Sequence, residues 1–296
     1  MSEKEVTVNR EHKDRLFNFI FGTEENKKWT LQLYNAVNNS HYEDESLIEF
    51  NTLQNYMYVS MKNDMSFIIA DFMNLYEHQS TYNPNMPLRM LRYASNLYSK
   101  YVQENALDVF GKELLQLPVP KLVVFYNGED DAPEESILRL SDSFNPDQRD
   151  RTDIEVKVRM ININYGHNKK ILGACKPLEE YSWFIDKIRQ YKKNNTLEKA
   201  TTQAVIEMPD DYEIKEFLKK NMAEVIDMML AEDQEINALE LIAKANEKKG
   251  VKKGVKKGID TTINNMLKSG VFTDEQICIA TGKSIEYIQK LKKNDP

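Results

Sequence analysis

The spacing of apolar residues changes about two thirds of the way along this 296-residue chain. Before about residue 205, segments with the alternating pattern and β-branched residues of strands lie between segments with the periodicity of amphipathic helices. Beyond that point the pattern is helical. The sequence therefore predicts an α/β fold with an α+β mixed sheet in residues 1–205, followed by a helical C-terminal region in residues 206–296.

Three segments predict the strands. Residues 47–79 have the composition of a β-hairpin or meander, with a turn near Asp71. Residues 121–128 and 153–166 are two further strand candidates, and each ends in an Asn/Gly turn signal. The helical patterns around them occupy residues 11–22, 27–39, 83–103 and 176–195. Strands and helices are thus mixed along the first two thirds of the chain.

Composition excludes several classes of protein. With 41% hydrophobic and 29% charged residues, the chain can bury a real core without disulfides. The two cysteines, Cys175 and Cys278, have no metal-ligand spacing, so a disulfide framework and a cysteine zinc site are not expected, and a reducing cytoplasm fits best. Neither a secretory apolar region nor a run of about 18 apolar residues is present, so neither secretion nor a membrane span is predicted.

Charge limits the way in which the chain can meet nucleic acid. The formal net charge is -7 and the pI is near 5.4, values that argue against a protein that coats polyanions generally. Any contact with DNA must therefore be made by a local basic surface.

Residues 74–81, NLYEHQST, carry polar side chains at the end of an apolar run. A carboxylate in such a place costs desolvation energy unless something binds it. Because side chains alternate along a strand, Glu77 and Gln79 are expected on one face of the sheet and His78 on the other. We therefore interpret His78 as a structural histidine and leave it out of the predicted site.

A second carboxylate completes the candidate site. If residues 63–71 pair with residues 73–79, Asp64 lies beside Glu77 and both reach one ion. Such hard oxygen ligands suit Mg²⁺ or Mn²⁺. Gln79 cannot act as a general base, but its amide could orient the attacking water or a phosphate oxygen. From spacing alone, a strand-end cap and a paired surface acid are the more frequent explanation for two such carboxylates.

The helical pattern after the site contributes three further candidates. Arg89, Arg92 and Tyr93 share one face of that helix by their spacing. They either contact the scissile phosphate or brace the carboxylates from inside the protein. The sequence leaves these two interpretations open.

Taken together, Asp64, the segment EHQS at residues 77–80 and the segment NPNMPLRMLRY at residues 83–93 resemble the signature of the Rpn family. These are the recombination-promoting nucleases, also described as PD-(D/E)XK nuclease family transposases. The resemblance covers residues 10–205 and includes the segments DRLFNFIFG, LYNAVNNSHY, LPVPKLVVFYNG, LRLSDSF and ININYGHN. It implies a restriction-endonuclease-like PD-(D/E)XK core, a mixed sheet flanked by helices, and metal-dependent cleavage of DNA.

The resemblance also implies roles for individual residues. Asp64 and Glu77 correspond to the metal-binding carboxylates, and Asp14 to an acidic position that could supply an outer ligand. Gln79 stands where many members of the wider superfamily have lysine, which removes a cation that could stabilise the transition state. Two functions remain: a Mg²⁺-dependent DNA endonuclease of recombination or mobile elements, or a catalytically weak relative that binds DNA or a protein. Double-strand cleavage needs two such sites, which suggests a homodimer.

The C-terminal region contains a Lys/Gly repeat at residues 248–259 with a period of four. Glycine and neighbouring lysines both weaken a helix, so the repeat is expected to be only marginally ordered by itself, and a solvated linker is favoured over a clamp on the DNA backbone. Residues 273–293 predict two short helices with Gly282 at the turn. This pattern suits a helix-turn-helix, but packing and oligomerisation hairpins share it.

Overall fold

A six-stranded mixed sheet forms the centre of the N-terminal part of the molecule. The structure is a computed structural model, and it describes residues 15–51 and 65–293. The strands are β1 (Glu49–Phe50), β2 (Met65–Ile69), β3 (Phe72–Gln79), β4 (Val119–Tyr126), β5 (Glu135–Arg139) and β6 (Lys157–Asn162). Their order across the sheet is β1-β2-β3-β4-β6-β5. The predicted mixed sheet is confirmed.

The hairpin of β2 and β3 occupies the segment in which it was predicted. The two strands are antiparallel, with Met65 opposite Tyr76 and Ile69 opposite Phe72. Only two residues connect them, and the first, Ala70, has a φ of 49°. Two-residue hairpin loops need this left-handed conformation to match the twist of the strands. The tight connection fixes the register, and with it the face on which each side chain of β3 lies.

The three central strands β3, β4 and β6 are parallel. Gln79 is opposite Tyr126, and Tyr126 is opposite Asn162, so the three strands end in one row. A parallel neighbour requires a crossover connection, and the helix α3 (Met86–Glu104) makes it between β3 and β4. Polar residues at the carboxyl ends of these strands therefore meet at one edge of the sheet.

The remaining helices are α1 (Arg15–Phe21), α2 (Lys27–Asn38), α4 (Lys169–Ala174), α5 (Lys176–Lys192), α6 (Leu197–Glu207), α7 (Lys215–Lys220), α8 (Met222–Ser269), α9 (Asp274–Thr281) and α10 (Ile285–Lys293). One face of the sheet packs against α1, α2, α5 and α6 in the larger core cluster. The other face packs against α3. The sheet is thus covered by helices on both faces.

The described chain divides into two compact units, residues 15–236 and residues 237–293. The predicted boundary at residue 205 lies inside α6, where Ala200, Ala204 and Val205 are buried in the core of the first unit. Val225 and Met229, at the start of α8, belong to the same core. The first unit therefore continues past the predicted boundary, while the predicted helical character after residue 205 is present in α7, α8, α9 and α10, and no strand occurs among the described residues beyond 205.

One strand was not predicted. In β5, exposed residues alternate with half-buried ones, and none is fully buried. It pairs with β6 alone, at the edge of the sheet. Its sequence, ESILR, has two adjacent apolar residues between polar ones, so neither an apolar run nor an alternation of apolar and polar residues indicates the strand.

Candidate active site

Glu77 is the buried charge at the centre of the candidate site. It lies near the carboxyl end of β3, and only 1% of its side chain is exposed. Its Oε2 accepts a hydrogen bond of 3.0 Å from Nη2 of Arg89, which comes from α3. A carboxylate removed from water needs such a partner, because the desolvation cost is otherwise large. The structure therefore shows Glu77 held by a cation from the crossover helix.

Arg89 is itself held by Tyr93, one helical turn further along α3. Its Nη2 and Nε donate to the Tyr93 hydroxyl oxygen over 2.9 Å and 3.3 Å. Its guanidinium carbon also lies 5.7 Å from the centre of the Tyr93 ring, within the range of a cation-π contact. These contacts join Glu77, Arg89 and Tyr93 into one cluster. Of the predicted α3 residues, Arg92 is exposed, and within the described residues it forms no hydrogen bond or ion pair.

Gln79 lies on the same face of β3 as Glu77. Its Nε2 is 3.0 Å from Sδ of Met86 in α3, and only 6% of the residue is exposed. Its backbone carbonyl accepts a hydrogen bond of 2.8 Å from the backbone N–H of Asn127, at the end of β4. The alternation of side chains along β3 is therefore confirmed. Carboxylate and amide both face α3.

His78 points to the opposite side of the sheet. Its Nε2 forms a hydrogen bond of 3.0 Å with the Tyr181 hydroxyl, and its ring stacks on Phe17 with 5.1 Å between centres. The residue is 2% exposed. Its position in the aromatic core agrees with the structural role expected for it.

A polar network beside Gln79 was not predicted. Arg189 of α5 donates to the Asn127 carbonyl and, over 2.8 Å, to Oδ1 of Asn164. Asn164 in turn donates over 2.9 Å to the carbonyl of Gly128 and over 3.0 Å to Oδ1 of Asn162. The network ties the ends of β4 and β6 to α5. In the sequence, the Asn-rich strand ends predict turns and do not indicate this network.

The predicted metal ligands are only partly within the described structure. Glu77 is described, whereas Asp64 and Asp14 lie outside the described residues. Within residues 15–51 and 65–293, no three side chains of His, Cys, Asp or Glu converge on a point that could hold a metal ion. The donor type of Glu77, a hard carboxylate oxygen, fits Mg²⁺ or Mn²⁺.

Other buried titratable groups lie away from this cluster. Glu180 accepts hydrogen bonds from the backbone N–H groups of Glu213 and Ile214, at 2.9 Å and 3.0 Å, and burial raises its pKa. Burial raises the pKa of the Cys175 thiol to about 12. Cys175 and Cys278 are both free. We assign structural roles to Glu180 and Cys175.

The helices of the described segments include none that is long and apolar enough to cross a membrane.

The comparisons with known proteins identify a family. A family model described as "Putative transposase, YhgA-like" matches residues 35–205, more than half of the chain. The matched segment includes Glu77, Gln79 and the α3 residues of the cluster. Neither the curated proteins nor the solved structures give a match. The transposase kinship predicted from the site residues is confirmed, and the chain belongs to the YhgA-like family of putative transposases.

Proposed function

We propose that this chain is a divalent-metal-dependent endonuclease that hydrolyses phosphodiester bonds of DNA in recombination or mobile-element movement. The observation that carries the proposal is the buried carboxylate of Glu77, with the Gln79 amide beside it on the same face of β3. The family assignment supports it, because transposases act on DNA. We propose Asp64, Glu77 and Gln79 as the catalytic set.

The register of the hairpin supports a two-carboxylate site. Met65 is opposite Tyr76. Asp64 immediately precedes Met65, and Glu77 immediately follows Tyr76. If the antiparallel register continues by one residue, about 3.8 Å along the chain, Asp64 is opposite Glu77. We therefore propose that Asp64 and Glu77 together hold Mg²⁺ or Mn²⁺. Asp14, which immediately precedes α1, is proposed as an outer ligand.

When bound, such an ion lowers the pKa of a coordinated water and offsets charge on the phosphodiester oxygen. Gln79 orients the attacking water or a phosphate oxygen by hydrogen bonding, because its amide has no group that titrates near neutral pH and so cannot act as a general acid or base. Arg89 replaces the cation that lysine supplies in the wider superfamily. Glu77 would hold the ion, and the Arg89 guanidinium, oriented by its hydrogen bond to Tyr93, would donate to a phosphate oxygen of the DNA. Exposed Arg92 contacts the DNA backbone further from the scissile bond.

The test is cleavage of duplex DNA by the purified chain with Mg²⁺ or Mn²⁺, with EDTA as the metal-free control. Asp64→Asn and Glu77→Gln are each expected to reduce cleavage to background while the circular dichroism spectrum stays that of the parent. Asp71→Asn, an exposed acid at the other end of β3, is the matched control and should cleave normally. Cleavage that survives both site substitutions contradicts the proposal.

The alternative is a catalytically weak relative that binds DNA or a protein. Two observations favour it: Gln79 stands in the place of a lysine, and Glu77 is already paired with Arg89. In that case, neither Asp64→Asn nor EDTA changes the affinity of the chain for its partner, and neither the parent chain nor the variant cleaves DNA.

The expected homodimer is part of the same proposal, since a cut in both strands requires two sites. Sedimentation of the chain with duplex DNA distinguishes one copy from two.

A further inference from the structure

The end of the chain is a small three-helix unit with its own core. The last turns of α8 pack with α9 and α10 around Ile263, Ile277 and Ile288, each of which is 0% exposed. A three-residue turn, residues 282–284, connects α9 to α10. The three helices therefore form one packed unit, in which each helix contacts the other two.

The turn between α9 and α10 is fixed by its residues. Gly282 has a φ of 64°, a conformation that glycine adopts without strain, and its N–H donates to the Cys278 carbonyl over 2.9 Å. Ser284 then caps α10, since its Oγ accepts from the Tyr287 N–H over 3.3 Å. A glycine-containing turn of three or four residues between two helices is typical of the helix-turn-helix motif.

Side-chain contacts hold α10 against its neighbours. The Tyr287 hydroxyl donates to Oδ1 of Asp260 in α8 over 2.6 Å. Lys292 donates to Oδ1 of Asp274 in α9 over 2.7 Å. A helix fixed on two sides presents its remaining side chains in a defined arrangement.

Those remaining side chains suit the major groove. Glu286, Gln289 and Lys290 of α10 are exposed. Glutamine can bind adenine through two hydrogen bonds, glutamate accepts from the amino group of cytosine, and lysine donates to guanine. In helix-turn-helix proteins, the second helix of the motif presents such residues to the base edges.

A strongly basic surface precedes the three-helix unit on α8. We call it the lysine stripe, and six exposed residues form it: Lys248, Lys249, Lys252, Lys253, Lys256 and Lys257. None of the six forms an ion pair within the described part of the chain. Residues 237–296 contain twelve lysines and seven acidic residues, a net charge of +5, whereas the whole chain carries -7. Positive charge is therefore concentrated in this one unit of an otherwise acidic chain.

We propose that the C-terminal unit binds duplex DNA, with α10 in the major groove and the lysine stripe against the phosphate backbone. Glu286 and Gln289 read base edges, and the lysines supply affinity without sequence preference. The inference shares only the substrate class with the proposed nuclease function. It places the recognition of DNA outside the Glu77 cluster, in a different unit of the chain.

The experiment measures binding without cleavage, with full-length chain and duplex DNA in EDTA. Selection from a random duplex pool is expected to enrich a short sequence. The affinity of the chain for that sequence, measured by fluorescence anisotropy at several salt concentrations, should fall steeply as salt increases. Replacing all six lysines of the stripe by glutamine should flatten the slope of log K against log salt by about 0.9 for each phosphate that the variant no longer neutralises. The matched control replaces six exposed lysines of the first unit by glutamine and should leave the slope unchanged: Lys28, Lys112, Lys169, Lys170, Lys193 and Lys199.

A second experiment tests whether α10 recognises base edges. Gln289→Ala and Glu286→Ala should each change the enriched sequence at one or two positions while the salt slope stays the same. Both side chains are exposed, so thermal unfolding of the variants should match that of the parent. An enriched sequence that both variants retain, or a pool with no enriched sequence, overturns the proposal.

A second copy of the chain is the alternative partner for this surface of α8, because Val251 and Val255 are 60% and 57% exposed. If the unsubstituted chain does not bind DNA but sediments as a dimer that Val251→Ser and Val255→Ser dissociate, the surface is a protein interface and the proposal is wrong. The outcomes also separate this inference from the nuclease proposal. DNA binding without cleavage supports the former alone, and cleavage that is indifferent to every C-terminal substitution supports the latter alone.

Discussion

Replacing Arg89 by methionine tests how the Glu77 cluster is held together. The substitution keeps an unbranched apolar stem in place of the aliphatic part of the side chain but removes the guanidinium that donates to Glu77 over 3.0 Å. Removing one partner of a buried ion pair costs about 3–5 kcal/mol, because the remaining buried charge loses a partner that offset its desolvation. The Glu77 side chain is 1% exposed and that of Arg89 is 25% exposed. Water therefore screens part of the pair, and we expect a loss near the lower end, about 3 kcal/mol.

The assay is urea unfolding in EDTA, followed by tryptophan fluorescence. Both tryptophans of the chain, Trp29 and Trp183, lie in the first unit and report its unfolding. In thermal unfolding followed by the same fluorescence, a loss of about 3 kcal/mol corresponds to a fall of about 6–12 °C in Tm for a domain of this size. Arg92→Met, an exposed position on the same helix, is the control and should stay within about 0.5 kcal/mol of the parent.

A double-mutant cycle separates the ion pair from other effects of the substitution. Glu77→Gln removes the buried charge, so the double variant should be more stable than the sum of the two single losses predicts, by about 2 kcal/mol. Mn²⁺ should also stabilise Arg89→Met more than the double variant, because a cation can replace the guanidinium only where the carboxylate remains. An Arg89→Met protein as stable as Arg92→Met would refute the reasoning.

Two further predictions concern other parts of the chain. Burial raises the pKa of Glu180 above its ordinary value of 4.5, so the folded state binds this proton more tightly than the unfolded chain does. The stability that Glu180 contributes is complete below pH 4.5 and declines as pH rises towards the raised pKa. Glu180→Gln should remove this decline, which can be measured as urea midpoints between about pH 4 and 7. Parent and variant midpoints that change in parallel with pH would contradict the prediction. In α8, a Cβ added to Gly250, Gly254 or Gly258 meets no atom within 4 Å, and alanine is the better helix former by about 1 kcal/mol per site. The triple alanine variant should therefore keep its helical circular dichroism to a higher temperature, and an unchanged or lower transition would count against that expectation.

The features of the site that sequence could predict are local ones. Alternation along β3 placed Glu77 and Gln79 on one face and His78 on the other, because a strand has a fixed two-residue period. Helical spacing likewise brought Arg89 and Tyr93 together on α3, and their contact is present. Spacing also grouped Arg92 with them, but that residue is exposed. A helical face is broad, and only packing decides which of its residues point inward.

The features that sequence could not predict depend on contacts between distant segments. Nothing in the local pattern around Arg189 indicates that it binds the carbonyl of Asn127, 62 residues earlier. The first unit extends beyond the predicted boundary for a related reason. The apolar residues of α6 and of early α8 have the same helical periodicity whether they pack on the sheet or on each other, so periodicity alone does not show where the core ends.

The position of Arg189 has a consequence for biosynthesis. Asn164 is translated 25 residues before Arg189, the α5 residue whose side chain binds both Asn164 and the carbonyl of Asn127. At the usual pace of a ribosome, about 5–20 residues per second, that interval is about 1–5 s. During it, the ends of β4 and β6 have both been translated but the side chain that braces them has not. This edge of the sheet is thus completed only after the crossover helix and its carboxylate cluster have been translated.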